Sequence, residues 1–370
     1  MIGAGSFGAS LAWWLARAGT KVTLVEQFEP GDPRTSSGGE SRLIRCGHGP
    51  HAGYTASAWR ARTLWRELEA ECGEELLIEC GLTWFAHRDD GWEAQAVSTF
   101  DAHGIPYERL PPEQGARLFP SFDPSGLAFL LHEPRAGVLR AQRAVRALVR
   151  RAVAHGATLV RATAAPDGTA ARLQDGRLLE ADVVVWACGA WLGRLFGEHV
   201  SIRSTRQELF FFSGGPAWRA PAVPAFVDFE QAIYGTRDID GLGVKAAPDF
   251  DGPPLDPDAA LPPTTPHGEA AARRFLAQRF PALARAPLAG SKTCRYELSP
   301  DANFIAAPHP ERPSVWLLGG GSGHGFKHGP ALAEQVAAAL AGRAPPPAHF
   351  GLGERGPGGL LRTAGAGAKR

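Results

Sequence analysis

A chain of 370 residues with 44% hydrophobic content can bury a large core, enough for two domains or one elaborated one. Its formal net charge of +1 gives no electrostatic reason to expect nucleic acid or an anionic membrane as a partner. No apolar run approaches the roughly 18 residues of a membrane-spanning helix, and no basic region precedes an apolar N-terminal segment, so a cytoplasmic protein is expected.

The chain opens on Gly3-Ala4-Gly5-Ser6-Phe7-Gly8, a G-x-G-x-x-G pattern with Ala12 four positions later for close packing. Apolar spacing predicts a helix over 11–18 closed by Gly19, then a buried strand over 22–25 ending in Glu26. That is one βαβ unit with a dinucleotide fingerprint. The glycines make the tight turn, the pyrophosphate lies on the helix N-terminus, and Glu26 accepts from the ribose hydroxyls. An acid at position 26 selects an unphosphorylated ribose, hence FAD or NAD over NADP. Only Met1 and Ile2 precede the first glycine, so the true start is expected upstream, a stub of a strand being the alternative.

A polar, glycine-containing loop follows from Thr35 and runs into Ser41-Arg42-Leu43-Ile44-Arg45. The patterns then predict a helix over 58–71, strand over 76–86, a helix over 96–103, and Pro/Gly loop over 123–135. A helix over 141–155, a strand over 156–160 and a hairpin turn at Asp175-Gly176 come next. The apolar strand over 181–191 breaks into a turn at Gly189, where a nucleotide domain commonly returns to its cofactor. Alternation predicts a strand over 206–212 and hairpins over 225–244; 251–265 is a Pro/Asp-rich loop. A strand over 314–318 delivers the chain into Gly319-Gly320-Gly321-Ser322-Gly323-His324-Gly325-Phe326-Lys327, and a helix over 331–340 carries it away. Such a turn lets backbone amides approach an anionic or planar ligand, with His324 and Lys327 beside it; a plain tight turn is the alternative. The tail after Pro345 is low-complexity, with order expected to fade from about 351.

Nucleotide-type segments thus lie at 1–75, 135–205 and 290–345, with more β-like ones at 76–134 and 206–289 and a flexible tail at 346–370. The interleaving predicts an α/β chain, a discontinuous Rossmann-type domain carrying an inserted mixed β-sheet substrate domain. The five cysteines are odd in number and show no C-x-x-C or metal-ligand spacing, which argues against a disulfide scaffold and against a zinc site. Nearly every basic residue is arginine, the lysines being Lys21, Lys245, Lys292, Lys327 and Lys369. A lysine retained in such a chain points to chemistry that needs a compact ammonium with a movable pKa.

With Gly3 to Gly8, Ser41 to Arg45, Thr293-Cys294-Arg295-Tyr296 and Gly321 to Lys327 in that order, the chain resembles the monomeric sarcosine oxidase branch of the D-amino-acid-oxidase-like flavoproteins. Its relatives include N-methyltryptophan, pipecolate and fructosyl-amino-acid oxidases. The resemblance spans nearly the whole chain, from Gly3 to about Gly342, and is specific to the family rather than to any member. It implies FAD, held by Gly3, Gly5, Ser6, Phe7, Gly8, Glu26, Ser41, Arg42, Gly189, Gly321, Gly323, His324, Gly325 and Lys327. Cys294 stands where the family attaches its flavin through a thioether, Lys292 or Arg295 being neighbours that favour its ionisation; a small buried hydrophobe is the other reading of a lone cysteine.

The resemblance also makes Arg45 and Lys327 paired cations for a substrate carboxylate, a cofactor-phosphate or surface role remaining open for Arg45. Arg42 packs beside the flavin ring, and His324 joins the catalytic set. Lys245 falls where the family keeps an oxygen-activating lysine, a strand-end surface position being the alternative. Tyr234 and Tyr296 map to the substrate pocket or to core packing. Asp249 replaces a family histidine, which puts sarcosine itself in doubt; Pro248 can instead turn it to solvent. The implied protein is a monomeric FAD-dependent amine oxidase acting on a secondary or cyclic amino acid, with oxygen reduced to hydrogen peroxide and no metal. The alternatives are a flavin dehydrogenase with another electron acceptor, or a flavin-binding protein without turnover.

Overall fold

The computed structural model describes residues 1–353, 355 and 356. Its nucleotide side grows from the first six residues. Gly3 sits at φ +98°, and a Cβ there would stand 2.4 Å from the Ala187 carbonyl oxygen, so only glycine allows the turn into helix Ser6–Arg17. That helix buries Gly8, Ala9, Ala12 and Ala16 with Leu11 and Trp13, and packs against helices Ala141–Ala154 and Gly329–Leu340. Ile2 bridges Val25 on one side and Trp186 on the other, so two residues fill the central sheet position of a first strand. The resulting order is Thr158–Arg161, Thr23–Glu26, Ile2, Val184–Trp186 and Arg312–Gly319, all parallel, with Ile305–His309 antiparallel at the edge. Glycine turn and second strand thus meet at the sheet's carboxyl end, where open α/β sheets bind ligands.

The second body is an eight-stranded mixed sheet in the order Leu288–Leu298, Arg203–Phe212, Val244–Pro248, Ile233–Thr236, Ala225–Asp228, Leu82–Ala86, Phe129–Glu133 and Glu108–Leu110. Its register separates two sets of side chains with period 2. Phe210, Phe212, Val244, Ala246, Phe226, Phe85 and Leu130 pack with Phe275, Leu276 and Phe280, from helix Pro266–Arg279 and its end. Burying a phenylalanine of this set contributes about 1.5–3 kcal/mol. On the other face Cys294 pairs with Gln207, Phe211 with Lys245, Tyr234 with Ala247 and with Val227, Val227 with Trp84. Between the two bodies lies a small sheet of Ser41–Ile44, Gly137–Arg140 and Leu77–Ile78.

Several elements differ from expectation. Phe129–Glu133 is a strand inside the stretch expected to be loop, because Pro124 and Gly126 end before the apolar Phe129-Leu130-Leu131 run begins. Helix Ala52–Cys72 starts at 52 rather than 58, its first turn anchored by buried Tyr54 and Thr55 despite a poor former at Gly53. Helix Trp92–His103 likewise starts ahead of 96, entered from an extended Gly91. In the segment expected to be flexible, Phe350 is buried against Tyr54 and Phe304. Arg355 donates to the Asp301 carboxylate and to the Phe304 carbonyl. The rest of that expectation, at 354 and 357–370, lies outside the described residues.

Candidate active site

A cleft of about 1370 Å³, mouth included, opens at the carboxyl end of the parallel sheet. Gly3, Gly5, Ser6 and Phe7 line it at the start of a 12-residue helix with no acid in its first turn, where the Ser6 amide donates to Ser37 Oγ at 2.8 Å. Amides and dipole of that terminus favour an anion. The third glycine, Gly8, lies outside the lining; a Cβ there would stand 2.0 Å from the Gly3 oxygen, so its work is packing. Glu26 lines the cleft and is held by the amides of Ala4 (2.7 Å) and Phe28 (2.9 Å), while burial raises its pKa. A carboxylate has about four lone-pair sites, so acceptor capacity is left for hydroxyls. Gly189, Gly321, Gly323 and Gly325 also line it, with Tyr296. Gly323 sits at φ +78°, and a Cβ there would stand 2.6 Å from the Tyr296 ring, which leaves the backbone bare toward the cleft. Arg42 lines it too, its guanidinium donating to the carbonyls of Ser41, Ser36 and Gly38. These residues fit a dinucleotide: a glycine-opened helix end for its pyrophosphate, an acid for its ribose, a glycine wall for a planar ring.

The other expected residues adjoin the cleft without lining it. Lys245 and Cys294 are both buried on the inner face of the eight-stranded sheet. The Lys245 ammonium lies 3.4 Å from Ser41 Oγ and 5.0 Å from the centre of the Tyr234 ring, and burial brings its pKa down to about 8, with Arg42 adding to the fall. Burial pushes the Cys294 thiol up, opposed by Arg42 and Lys245. The neighbours expected to help it ionise point elsewhere. Lys292 pairs with Glu40, and Arg295 donates to the carbonyls of Pro257 and Ala259. Strand alternation turns Arg295 to the opposite face from Cys294, while Lys292, on the same face, is drawn off by Glu40. Tyr234 shares the cluster with Cys294, Leu209, Phe211 and Ala247, and burial raises its phenol pKa.

Arg45 and Lys327 are both buried. The Arg45 guanidinium lies over the rings of Trp84 (4.8 Å) and Trp92 (5.9 Å) and donates to the Gly47 carbonyl. Burial lowers its pKa to about 10, opposed chiefly by Glu133 and then Asp249. Lys327 Nζ donates to the His324 carbonyl at 3.0 Å, and burial, then Arg45, hold it well below the usual lysine range. Two cations that burial destabilises this far favour an anion beside them. Asp249 is buried rather than turned to solvent, and its charge is felt at Arg45 and Tyr234. His324 belongs to an aromatic group behind the glycine wall, stacked at 5.0 Å on Phe304 with Nε2 on the Ala302 carbonyl (2.9 Å).

Two acids escaped sequence reading. Glu133 accepts from the amides of Cys46 (2.7 Å) and Gly47 (3.1 Å) and from the Trp84 indole (2.7 Å), fixing the loop that carries Arg45. Its signal was present as an acid at the end of an apolar strand, masked by the loop reading of 123–135. Glu297 lines the cleft, accepting from the Gly321 amide at 3.1 Å, and burial raises it to about 7. It lies next to Tyr296 in a motif already singled out.

The profile of the FAD dependent oxidoreductase (DAO) family matches residues 1–339. Monomeric sarcosine oxidase of Bacillus sp. (strain NS-129) is 29% identical over 353 residues, covering 91% of this chain and 91% of that one. N-methyl-L-tryptophan oxidase of Yersinia pestis (strain Pestoides F) is 27% identical over 356 residues, covering 94% and 95%. Among solved structures, L-proline dehydrogenase from P. horikoshii superimposes with a TM-score of 0.80 at 22% identity, covering 94% of each chain, which shows a common fold. No helix among the described residues is long and apolar enough to cross a membrane.

Proposed function

Because the chain belongs to the FAD dependent oxidoreductase family, we propose that it is an oxidase that converts a secondary or cyclic amino acid to an imine while oxygen becomes hydrogen peroxide. We assign cofactor binding to the parallel-sheet body and substrate binding to the eight-stranded sheet, acting as a monomer. The bound flavin supplies the two-electron acceptor that takes hydride from the carbon next to nitrogen and passes the electrons on to oxygen.

The residues of this chain do the rest. Gly3, Gly5, Ser6 and Phe7 at the helix terminus hold the pyrophosphate, and Glu26 accepts from the ribose. Cys294 is the attachment point for a thioether, its neighbours Arg42 and Lys245 stabilising the thiolate that must form. Arg45 and Lys327 fix the substrate carboxylate, which orients the C–H to be broken; Tyr234 and Tyr296 shape the pocket and keep it dry. With its carboxylate anchored, the amine binds as the neutral base and the imine is hydrolysed by water. Lys245 keeps a positive charge on the sheet side of the ring, where negative charge develops on oxygen. Asp249 borders this pocket and excludes a second substrate anion on its side.

The observation that carries this reading is the placement of buried Lys245 and Cys294 on one sheet face, joined to the cleft through Arg42. The test is the purified protein with a panel of N-methyl and cyclic amino acids. Flavin absorbance with peroxide release supports it. Flavin reduction by a substrate, with electrons passing to a dye and never to oxygen, would make the protein a dehydrogenase.

A further inference from the structure

We propose that His48, His324 and His328 form a binding site for one zinc-type divalent ion, apart from the dinucleotide cleft. These imidazoles are all buried, and one ligating nitrogen from each lies within 4.8 Å of the others. His48 enters from the loop after Arg45, and the other two from the turn that follows the last parallel strand. His324 and His328 stand at the H-x3-H spacing of zinc sites, while no linear spacing ties His48 to them.

The hydrogen bonds decide which nitrogens carry lone pairs. His48 Nδ1 lies 3.0 Å from the Cys46 carbonyl, and His324 Nε2 lies 2.9 Å from the Ala302 carbonyl. A carbonyl only accepts, so each of these nitrogens bears the proton and the opposite nitrogen of each neutral ring bears a lone pair. Metal-binding histidines are oriented this way, the far N–H resting on a carbonyl or carboxylate. His328 Nδ1 lies 3.0 Å from Ser57 Oγ, a hydroxyl able to give or accept. The Nε2 atoms of His48 and His328 stand 3.4 Å apart. Two nitrogens bound at 2.0–2.1 Å to a tetrahedral ion lie about 3.4 Å from each other, so this pair is already at ligand spacing, and the His324 nitrogen lies within 4.8 Å of both.

Without an ion, His328 Nε2–H donates to the His48 Nε2 lone pair and Ser57 donates to His328 Nδ1. An ion at Nε2 requires the other tautomer of neutral His328: the Nε2 proton is lost and one is taken up at Nδ1, with no net release, and Ser57 rotates to accept from Nδ1–H. Three histidines leave a fourth tetrahedral position for water. The nearby cations oppose a dication, Lys327 and Arg45 both acting on His48 and His328, though each is engaged by a carbonyl, Lys327 by that of His324 and Arg45 by that of Gly47. Affinity is therefore expected nearer a Kd of ~1 µM than the much tighter values of closed structural sites.

The test uses the full chain with its own flavin content, dialysed against a chelator and titrated with Co²⁺ as a spectroscopic stand-in for Zn²⁺. Expected are d–d bands beyond the flavin absorbance that saturate at one equivalent and are displaced by Zn²⁺. His48→Gln and His328→Phe should each weaken binding by at least about a hundredfold, and Ser57→Ala, which removes only a supporting hydroxyl, by about tenfold. No one-equivalent binding overturns the proposal, as do bands that survive both histidine variants. Should those variants not fold, unchanged affinity in Ser57→Ala overturns it. Flavin content and peroxide release are read separately, so loss of the metal site and failure of the oxidase reading are distinguishable.

Discussion

Lys245→Met should make the protein more stable while disabling its reaction with oxygen. Folding carries this ammonium into the sheet face, and its pKa falls from 10.5 to about 8, chiefly through burial. That fall corresponds to about 3 kcal/mol by which the folded state disfavours the charged form. The sign follows from proton counts. Below pH 8 the group is charged in both states and the full cost applies. Between 8 and 10.5 the folded protein has shed a proton that the unfolded chain keeps, so the cost shrinks; above 10.5 it is gone. Methionine fills similar space without charge but loses the contact with the Tyr234 ring, about 0.5–1 kcal/mol. The net gain is about 2 kcal/mol at pH 7, falling toward zero by pH 10.5. Denaturant unfolding at both pH values, on proteins with equal flavin content, measures it. Rapid mixing of reduced protein with oxygen should show reoxidation slowed by orders of magnitude and substrate reduction nearly unchanged. A variant less stable at pH 7, or a gap independent of pH, would refute the reasoning and make Lys245 a structural partner of Ser41.

Lys327→Met removes one charge-assisted contact to the substrate carboxylate, worth about 1.5–3 kcal/mol, so steady-state kinetics should show kcat/KM lower by roughly ten- to a hundredfold. Equal turnover of an amino acid and its decarboxylated amine would move the anchor from Arg45 and Lys327 to Asp249. Cys294→Ser should release flavin into the supernatant after acid precipitation, where the parent protein stays yellow; free flavin from the parent would end the thioether assignment. Burial raises Glu297 from 4.5 to about 7, so stability of the flavin-free protein should fall as pH rises through that interval. Glu297→Gln should remove its share of that decline, Glu93 contributing another over the same interval, with a gap of up to about 3 kcal/mol at pH 8 in chemical unfolding. An equal offset at pH 5 and pH 8 would show that the carboxyl is not buried neutral.

Local patterns made the nucleotide half legible. Gly3 to Gly8, the helix and Glu26 are contiguous, and each step carries a steric or hydrogen-bonding reason that needs no distant partner. The glycine turn before Lys327 was readable for the same cause. The inner face of the eight-stranded sheet was not. Cys294, Lys245 and Tyr234 meet through pairings that join four strands, the outermost well beyond the others in sequence, and alternation says which residues share a face but not which strand lies beside which. The identity of these positions came from resemblance, whereas their mutual influence came from register. Glu133 was lost to the texture of its flanks, Pro124 and Gly126 hiding a strand whose partners are Leu82–Ala86 and Glu108–Leu110. His48 carried no signal, since a lone histidine has no period, whereas His328 stands four residues after His324, a spacing left unread.

What unites the buried charges is that each is costly alone and none stands alone. Arg45, Lys245 and Lys327 are all driven toward neutrality by burial. An apolar core would be cheaper, so their retention needs either internal compensation or an external anion. Internal compensation is partial: Glu133 opposes the shift at both Arg45 and Lys327, but its oxygens already serve two amides and an indole. It acts on the two cations as a field, not as a direct partner in an ion pair. Arg45 and Lys327 instead donate to carbonyls of their own loops, contacts short enough in sequence to be exchanged for a ligand without unfolding an element. A carboxylate entering between them would replace two neutral acceptors with one charged one and relieve the depression of both. On this account the site is held in tension by design of its burial, and substrate binding is where that tension is released.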